Sequence, residues 1–175
     1  MTAFDLLALI GLVPLLWLAL VKRGAGPSWW WMAGAFGVSV LADAFGRVSS
    51  EWARYASQTY PVLQSGLFLG ILLPRKYAEW TIAAILVAAS VSIVGRNAEG
   101  LDVLMRVVAF GSVGGVAWML PKGAFRTALL VYFGGGAVAW CGYVLAPGWT
   151  SYALLQAARV VGIGTWCYAV KREAA

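Results

Sequence analysis

The sequence predicts an all-α polytopic membrane protein, a single bundle of seven transmembrane helices spanning residues 1–175. The composition is strongly apolar: 62% of the residues are apolar and 11% are charged, and the mean hydropathy is +0.80. Apolar runs recur along the whole chain, separated by short polar links. Basic residues are concentrated in alternate links. These features argue against a soluble globule and favour a bundle with lipid as its solvent.

Seven apolar segments are long enough, or nearly long enough, to cross a bilayer, which takes roughly 20 helical residues for a core about 30 Å thick. In chain order they are Phe4 to Val21, Trp29 to Val48, Tyr55 to Leu73, Trp80 to Gly95, Leu101 to Leu120, Arg126 to Leu145 and Thr150 to Val170. The longest link is the polar stretch around Ser49 to Arg54. Because no link can hold a folded domain, we expect the core to form by helix-on-helix packing.

The first segment does not have the charge pattern of a cleavable signal peptide. Such peptides carry positive charge before the apolar run. Here Met1 to Asp5 contains no Lys or Arg, and Lys22 and Arg23 follow the run instead. We therefore expect this segment to stay attached as a membrane helix.

The basic residues predict the orientation of the bundle. Eight of the thirteen lie in alternate links or after the last segment: Lys22, Arg23, Arg75, Lys76, Lys122, Arg126, Lys171 and Arg172. The opposite links carry only Arg47, Arg54 and Arg96. By the positive-inside rule the N-terminus lies outside and the C-terminus in the cytoplasm. The net charge of +6 is thus explained without a nucleic-acid partner, and the expected location is a cell membrane, the bacterial inner membrane in particular.

Tryptophans follow the same arrangement. One group falls near the predicted cytoplasmic ends: Trp17, Trp29, Trp30, Trp31, Trp80, Trp118 and Trp166. Trp52 and Trp149 fall near the outer ends. Amphipathic rings at headgroup depth form such belts, so we expect these side chains at the membrane interfaces.

The third and seventh segments resemble each other in sequence. Laid over each other without a gap, positions 60–72 and 152–164 share five identities. The pairs are Tyr60 with Tyr152, Leu63 with Leu155, Gln64 with Gln156, Gly70 with Gly162, and Ile71 with Ile163. The two copies are four segments apart in the chain order, so both have the same orientation in the membrane. The pattern predicts a parallel 3+1+3 repeat, with units 1–76 and 98–172 and a linker helix over 80–95.

This arrangement resembles the topology of the SWEET sugar transporters and of the PnuC-type vitamin-precursor transporters, which have three helices, a linker helix and three more helices, with the N-terminus outside. The Pro-Gln pair typical of the SWEET group is absent, because Leu63 precedes Gln64 and Leu155 precedes Gln156. The resemblance is one of topology alone and carries no functional residue over to this chain.

The residues that would carry enzyme chemistry are scarce. The chain contains no histidine, which removes the commonest general base and the commonest metal ligand. Its four lysines (Lys22, Lys76, Lys122 and Lys171) all lie at predicted helix ends, so no mid-membrane lysine can bind retinal. We therefore expect no enzyme activity, no metal and no cofactor.

Several polar side chains lie inside the apolar segments. The predicted substrate-binding set is Asp43, Gln64, Arg106, Gln156 and Arg159, and the predicted gating or pocket-lining set is Tyr60, Tyr152 and Trp140. A charge at the bilayer centre costs about 2.5 to 3.5 kcal/mol on insertion scales, so such groups usually face an interior and pair. Arg159 is the deepest charge, and we expect it to contact Asp43. The set predicts a polar pocket that opens outward; the alternative, that these groups only join helices, remains open.

Three functions fit this sequence. The first is a small carrier for a polar, most readily anionic, solute, since interior arginines outnumber interior aspartates. The second is a structural or accessory subunit of a larger membrane complex, and the third is a sensor or lipid-binding protein. The expected partners are the lipid bilayer and the solute, and a homo-oligomer or a larger membrane complex is left open.

Overall fold

A computed structural model describes residues 9–21, 26–48, 50–94, 101–146 and 148–173. These residues form helices α1 (Ile10–Val21), α2 (Pro27–Val48), α3 (Ser50–Leu72), α4 (Ala78–Val94), α5 (Leu101–Met119), α6 (Ala124–Leu145) and α7 (Trp149–Glu173). Helix α1 opens with a 3-10 turn, and a second 3-10 turn, Arg75–Tyr77, precedes α4. No strand occurs in these ranges. The predicted all-α class is therefore confirmed.

Among the described residues, two helices are long and apolar enough to cross a bilayer. They are α6, over Ala124–Leu145, and α7, over Trp149–Arg172. Shorter apolar helical stretches, Ile10–Val21, Thr59–Leu72 and Val103–Met119, lie elsewhere in the part of the chain that is described. Length and composition thus support membrane association through α6 and α7, while the number of crossings remains a prediction.

The predicted link around Ser49 to Arg54 is wrong. Helix α3 begins at Ser50, so the polar residues that follow form its first turns rather than a loop. Glu51, Ala53 and Arg54 are good or moderate helix formers, and no Gly or Pro interrupts them. The helix also continues through Pro61.

The helices pack in a closed order with one helix outside it. Contacts run from α1 to α2, α2 to α3, α3 to α5, α5 to α6, α6 to α7, and from α7 back to α1. Helix α4 packs mainly on α3 and makes a smaller contact with α5. The interior is therefore enclosed by α1, α2, α3, α5, α6 and α7.

Aromatic side chains from five of these helices, α2, α3, α5, α6 and α7, fill the interior. Phe36 of α2 packs edge-to-face on Phe68 of α3, on Tyr132 of α6 and on Trp166 of α7, with ring centroids 5.0, 4.8 and 5.6 Å apart. Phe133 of α6 adds contacts to Phe68 at 4.8 Å. Such pairs contribute about 0.5–1.5 kcal/mol each beyond the area they bury. Phe36 is thus the common neighbour that joins the helices of the core.

Small residues let α6 approach its two neighbours closely. A Cβ on Gly162 of α7 would lie 2.6 Å from the Cβ of Tyr132, and a Cβ on Gly136 of α6 would lie 2.5 Å from the ring of Phe110. Because lipid is as apolar as the side chains, helices in a membrane associate largely through such close packing. The contacts of α6 with α5 and α7 therefore depend on glycine.

One end of the bundle, the basic end, carries Lys122, Arg126, Lys171 and Arg172. The ring of Trp29, at the start of α2, contacts Phe125, at the start of α6, and Trp166, near the end of α7. Lys171 and Arg172 follow in the last turn of α7. Helices α2 and α6 therefore run the same way, and α7 runs opposite to them.

The prediction that the tryptophans lie at the membrane interfaces is wrong for Trp166. Trp31, Trp80, Trp118 and Trp149 are exposed, as an interface position requires. Trp166 instead is 0% exposed and lies in the aromatic core. Trp166 lies about one turn before the basic end of α7, on the side of the helix that faces the interior. The spacing of the tryptophans in the sequence did not indicate that side.

Candidate functional site

Gln64 occupies the centre of the bundle. It is 0% exposed, and its Nε2 donates to the carbonyl oxygen of Ala35 on α2 at 3.0 Å. The same amide faces the hydroxyl of Tyr132 on α6: the Nε2–Oη distance is 3.1 Å, and the Tyr132 hydroxyl donates to Oε1 at 3.3 Å. One side chain of α3 is thereby bonded to two other helices.

Tyr132 lies in an irregular part of α6. Residues Leu130–Gly134 form a π-helical segment between α-helical stretches. The extra residue per turn widens the helix locally, and such π segments are frequent at functional sites. Both Tyr132 and Phe133 in the segment are buried, so the irregularity faces the core rather than the surroundings.

Arg159 forms a second buried polar group one helical turn along α2. Its Nη2 donates to the Ser39 hydroxyl at 2.9 Å, and its Nη1 donates to Oε1 of Gln156 at 3.3 Å. Ser39 in turn donates to the carbonyl oxygen of Phe36 at 3.1 Å. Arg159 is 7% exposed and lies ten residues into α7, about 15 Å from its start at 1.5 Å per residue. The cation thus lies near the middle of a helix that is long enough to cross a bilayer, and these two oxygens are among its contacts.

The local sequence explains how α2 serves both groups. Ala35 and Ser39 are four residues apart, so they share one face of the helix. The carbonyl of Ala35 is used by Gln64 and the hydroxyl of Ser39 by Arg159. Small side chains at both positions leave room for the two long side chains to reach α2.

A cavity of about 280 Å³ lies between α5, α6 and α7, away from the basic end. Its walls are Val103, Arg106, Ala139, Trp140, Tyr143, Ser151, Tyr152 and Leu155. The guanidinium carbon of Arg106 lies 4.4 Å from the centroid of the Trp140 ring. Among these lining residues Arg106 is the only charged one.

The predicted site residues thus separate into groups. Arg106, Trp140 and Tyr152 meet in the cavity. Gln156 and Arg159 bind each other in the second buried group, and Gln64 belongs to the first. Gln64, Gln156 and Arg159 are not among the residues that line the cavity.

The remaining two predicted residues are Tyr60 and Asp43. Tyr60 is partly buried near the middle of α3. Asp43 lies on α2, four residues after Ser39, but its side chain is outside the described part of the structure. The contact between Asp43 and Arg159 therefore stays a prediction.

Sequence reasoning missed Ser39 and Tyr132. Serine is common on helices in apolar segments, and a tyrosine in the run Leu129 to Gly136 looks like another interfacial ring. The run Gly134 to Gly136 just after Tyr132 was the available signal, since adjacent glycines mark an irregular helix. That Tyr132 meets Gln64 and that Ser39 meets Arg159 follows only from the packing of the helices.

No known protein family, curated protein or solved structure matches this chain. As far as the structure describes them, the two buried groups bring one cation together with several neutral donors and acceptors.

Proposed function

We propose that the protein is a small integral membrane carrier for a small anionic solute, with Arg159 as the positive charge that the solute meets inside the bundle. In this proposal all seven apolar segments cross the membrane and the N-terminus lies outside. The observation that carries it is the position of Arg159: buried, central in α7, and bonded to Ser39 and Gln156.

The free-energy cost of placing Arg159 in the interior of the bundle favours a functional role for this residue. A cation at the centre of a bilayer costs about 2.5–3.5 kcal/mol on insertion scales, and intramembrane charges typically mark substrate or ion pathways. Ser39 and Gln156 are neutral and can exchange their hydrogen bonds for those of a solute. In the empty state, Asp43 is the proposed partner of Arg159 or the proton-coupling group.

The order of helix contacts supports a two-fold repeat. In the proposed 3+1+3 arrangement, α1, α2 and α3 correspond to α5, α6 and α7. The contacts α1–α2 and α2–α3 then correspond to α5–α6 and α6–α7, and α3–α5 corresponds to α7–α1. Helix α4 lies outside this order, as a linker helix would. Carriers built from such repeats hold their substrate near the midplane, between the two units.

The two proposed repeat units differ in the residues that surround their matching positions. Gln64 is completely buried and bonded to Tyr132, whereas Gln156 is partly buried and bonded to Arg159. A Cβ on Gly162 would collide with Tyr132, while nothing lies within 4 Å of the corresponding position on Gly70. We infer that one half supplies a structural amide and the other supplies the amide next to the cation.

Transport measured on proteoliposomes tests the proposal. Proteoliposomes that contain the protein are adsorbed on a solid-supported membrane and exposed to lactate, succinate and glycerol 3-phosphate in turn. We expect a transient current with at least one of these anions. Arg159→Gln should abolish it, and Arg126→Gln, which removes an arginine stacked on Trp118 at the basic end, should leave it unchanged.

Thermal unfolding of the same preparations separates transport from folding. If Arg159→Gln melts close to the wild type and carries no current, the proposal stands. If the variant is strongly destabilised, Gln156→Leu takes its place, because it keeps the cation and removes one of its acceptors. An unchanged current in Arg159→Gln would show that Arg159 only joins helices, and the absence of current from the wild type with all three anions would count against the carrier proposal.

A further inference from the structure

The π segment of α6, Leu130–Gly134, is a weak point in the backbone of that helix. The N–H of Gly135 is shared between the carbonyl oxygens of Leu130 and Tyr132, five and three residues back, whereas a regular α-helix bonds four residues back. The run Gly134–Gly136 weakens the helix further, because glycine loses more conformational freedom on folding than any other residue. Helices bend where a π segment or adjacent small residues interrupt the regular hydrogen bonds.

The π segment packs on the turn of α7 that carries Arg159. A Cβ on Gly135 would lie 3.0 Å from the Cβ of Ala158, and a Cβ on Gly162 would lie 2.6 Å from the Cβ of Tyr132. Ala158 and Gly162 are four residues apart, so both lie on the face of α7 that meets α6, and Arg159 follows Ala158 directly. A change in the backbone of the π segment therefore moves the atoms on which this turn of α7 packs.

Tyr132 is also connected to Arg159 through α2 and α3. Its hydroxyl is bonded to Gln64, and the amide of Gln64 donates to the carbonyl of Ala35 on α2. One turn further along α2, Ser39 accepts a hydrogen bond from Arg159. The π segment thus reaches the Arg159 group by two routes, one through direct packing on α7 and one through hydrogen bonds to α3 and α2.

We propose that α6 is hinged at the π segment, and that bending there, with release of the bond between Tyr132 and Gln64, opens and closes the site around Arg159. The hydrogen bond suits a latch, because it joins two neutral groups and its net strength is modest. The hinge itself follows from the geometry of α6, whereas its effect on access to Arg159 rests on the proposed carrier function.

The chain offers a matched pair of variants for this hinge. Gly134 has helical φ and ψ angles of −64° and −48°, and no side chain or neighbouring helix of the described structure lies within 4 Å of the position of an added Cβ. Gly115, on an exposed side of α5, has the same open space. Alanine fits at both positions and favours a regular α-helix at both. Only Gly134→Ala, however, stiffens the π segment.

The test measures the bend of α6 as a distance between two spin labels, with both native cysteines replaced by alanine. One label pair, at Thr127→Cys and Val144→Cys, spans the π segment. A control pair, at Leu154→Cys and Lys171→Cys, spans the same number of residues of α7, and all four positions are exposed. A straight α-helix of this span measures about 25 Å at 1.5 Å per residue. Double electron–electron resonance in lipid nanodiscs gives both distance distributions.

We expect a second, shorter distance for the α6 pair and one narrow distance for the α7 pair. Tyr132→Phe should raise the population of the shorter α6 distance by about fivefold, as the net strength of one ordinary hydrogen bond implies. Gly134→Ala should deplete the shorter distance, and Gly115→Ala should leave the distribution unchanged. Because Gly134→Ala acts in the opposite direction, the test does not depend on the folding of Tyr132→Phe.

Two results would overturn the hinge. One is a single narrow α6 distance, as wide as that of α7, in both the wild type and Tyr132→Phe. The other is the same α6 distribution in Gly134→Ala and Gly115→Ala.

Transport separates the hinge from its role in the carrier. In proteoliposomes, Gly134→Ala should lose most of the anion current, and Gly115→Ala should keep the wild-type current. A full current in Gly134→Ala, despite the depleted shorter distance, would refute the role of the hinge at the Arg159 site. If the wild type carries no current, the carrier proposal fails, and the label distances still decide whether α6 bends.

Discussion

The bond between Gln64 and Tyr132 predicts a measurable coupling between α3 and α6. Tyr132→Phe removes the hydroxyl but leaves Gln64 bonded to Ala35, so we expect a loss of about 1 kcal/mol in the free energy of unfolding. Gln64→Leu keeps the volume but leaves the Tyr132 hydroxyl buried, at 1% exposure, without the amide. That change should cost about 1–3 kcal/mol, because an unsatisfied buried donor carries its full desolvation penalty.

The double variant isolates the pair. With the amide already replaced by leucine, Tyr132→Phe removes an orphaned hydroxyl and should cost nothing. We therefore expect a coupling energy of about 1 kcal/mol, within the range of ~0.6 on average to ~1.7 at most measured for hydrogen bonds between membrane helices. The assay is unfolding in dodecyl maltoside titrated with dodecyl sulfate, followed by circular dichroism.

The control for this cycle is Tyr143→Phe, which removes an exposed hydroxyl from the same helix. Its effect should add to that of Gln64→Leu within about 0.3–0.5 kcal/mol, as for independent sites. If Tyr132→Phe and Gln64→Leu are equally additive, the amide and the phenol do not interact, and the central contact of the bundle is refuted.

Two further predictions concern close packing and orientation. Gly162→Ala should lower the free energy of unfolding by about 1–3 kcal/mol, because its Cβ would overlap Tyr132, whereas Gly70→Ala, with open space around it, should be nearly neutral in the same titration. Cysteine at Ser28 should react with a membrane-impermeant maleimide only from the cytoplasmic side of intact vesicles, and cysteine at Gly148 only from outside; the reverse pattern would contradict the charge-based orientation.

The helices themselves could be predicted from the sequence because apolar runs are long and the links between them short. The boundaries were less accurate: the polar residues after Ser50 looked like a link, yet they form the first turns of α3. Hydropathy indicates where an apolar run ends. The helix itself can continue beyond that point where the following residues have good helix propensity. That difference accounts for the error.

The candidate site could be predicted only in part. Polar side chains in apolar segments are conspicuous, so Gln64, Arg106 and Arg159 were evident. Their distribution over two buried groups and a cavity was not, because it depends on how the helices are rotated against one another. Ser39 became evident only through its contact with Arg159, and the run Gly134 to Gly136 was the one sequence signal of the π segment around Tyr132.

The carrier proposal is tested most directly by counterflow. Proteoliposomes are loaded with the unlabelled anion that gives the largest current, and the same anion is supplied outside in trace amounts with a radioactive label. A carrier that alternates around Arg159 should accumulate label transiently above equilibrium, and Arg159→Gln should show no overshoot while Arg126→Gln does. Equal, monotonic entry of label into wild-type, Arg159→Gln and protein-free vesicles would contradict the account.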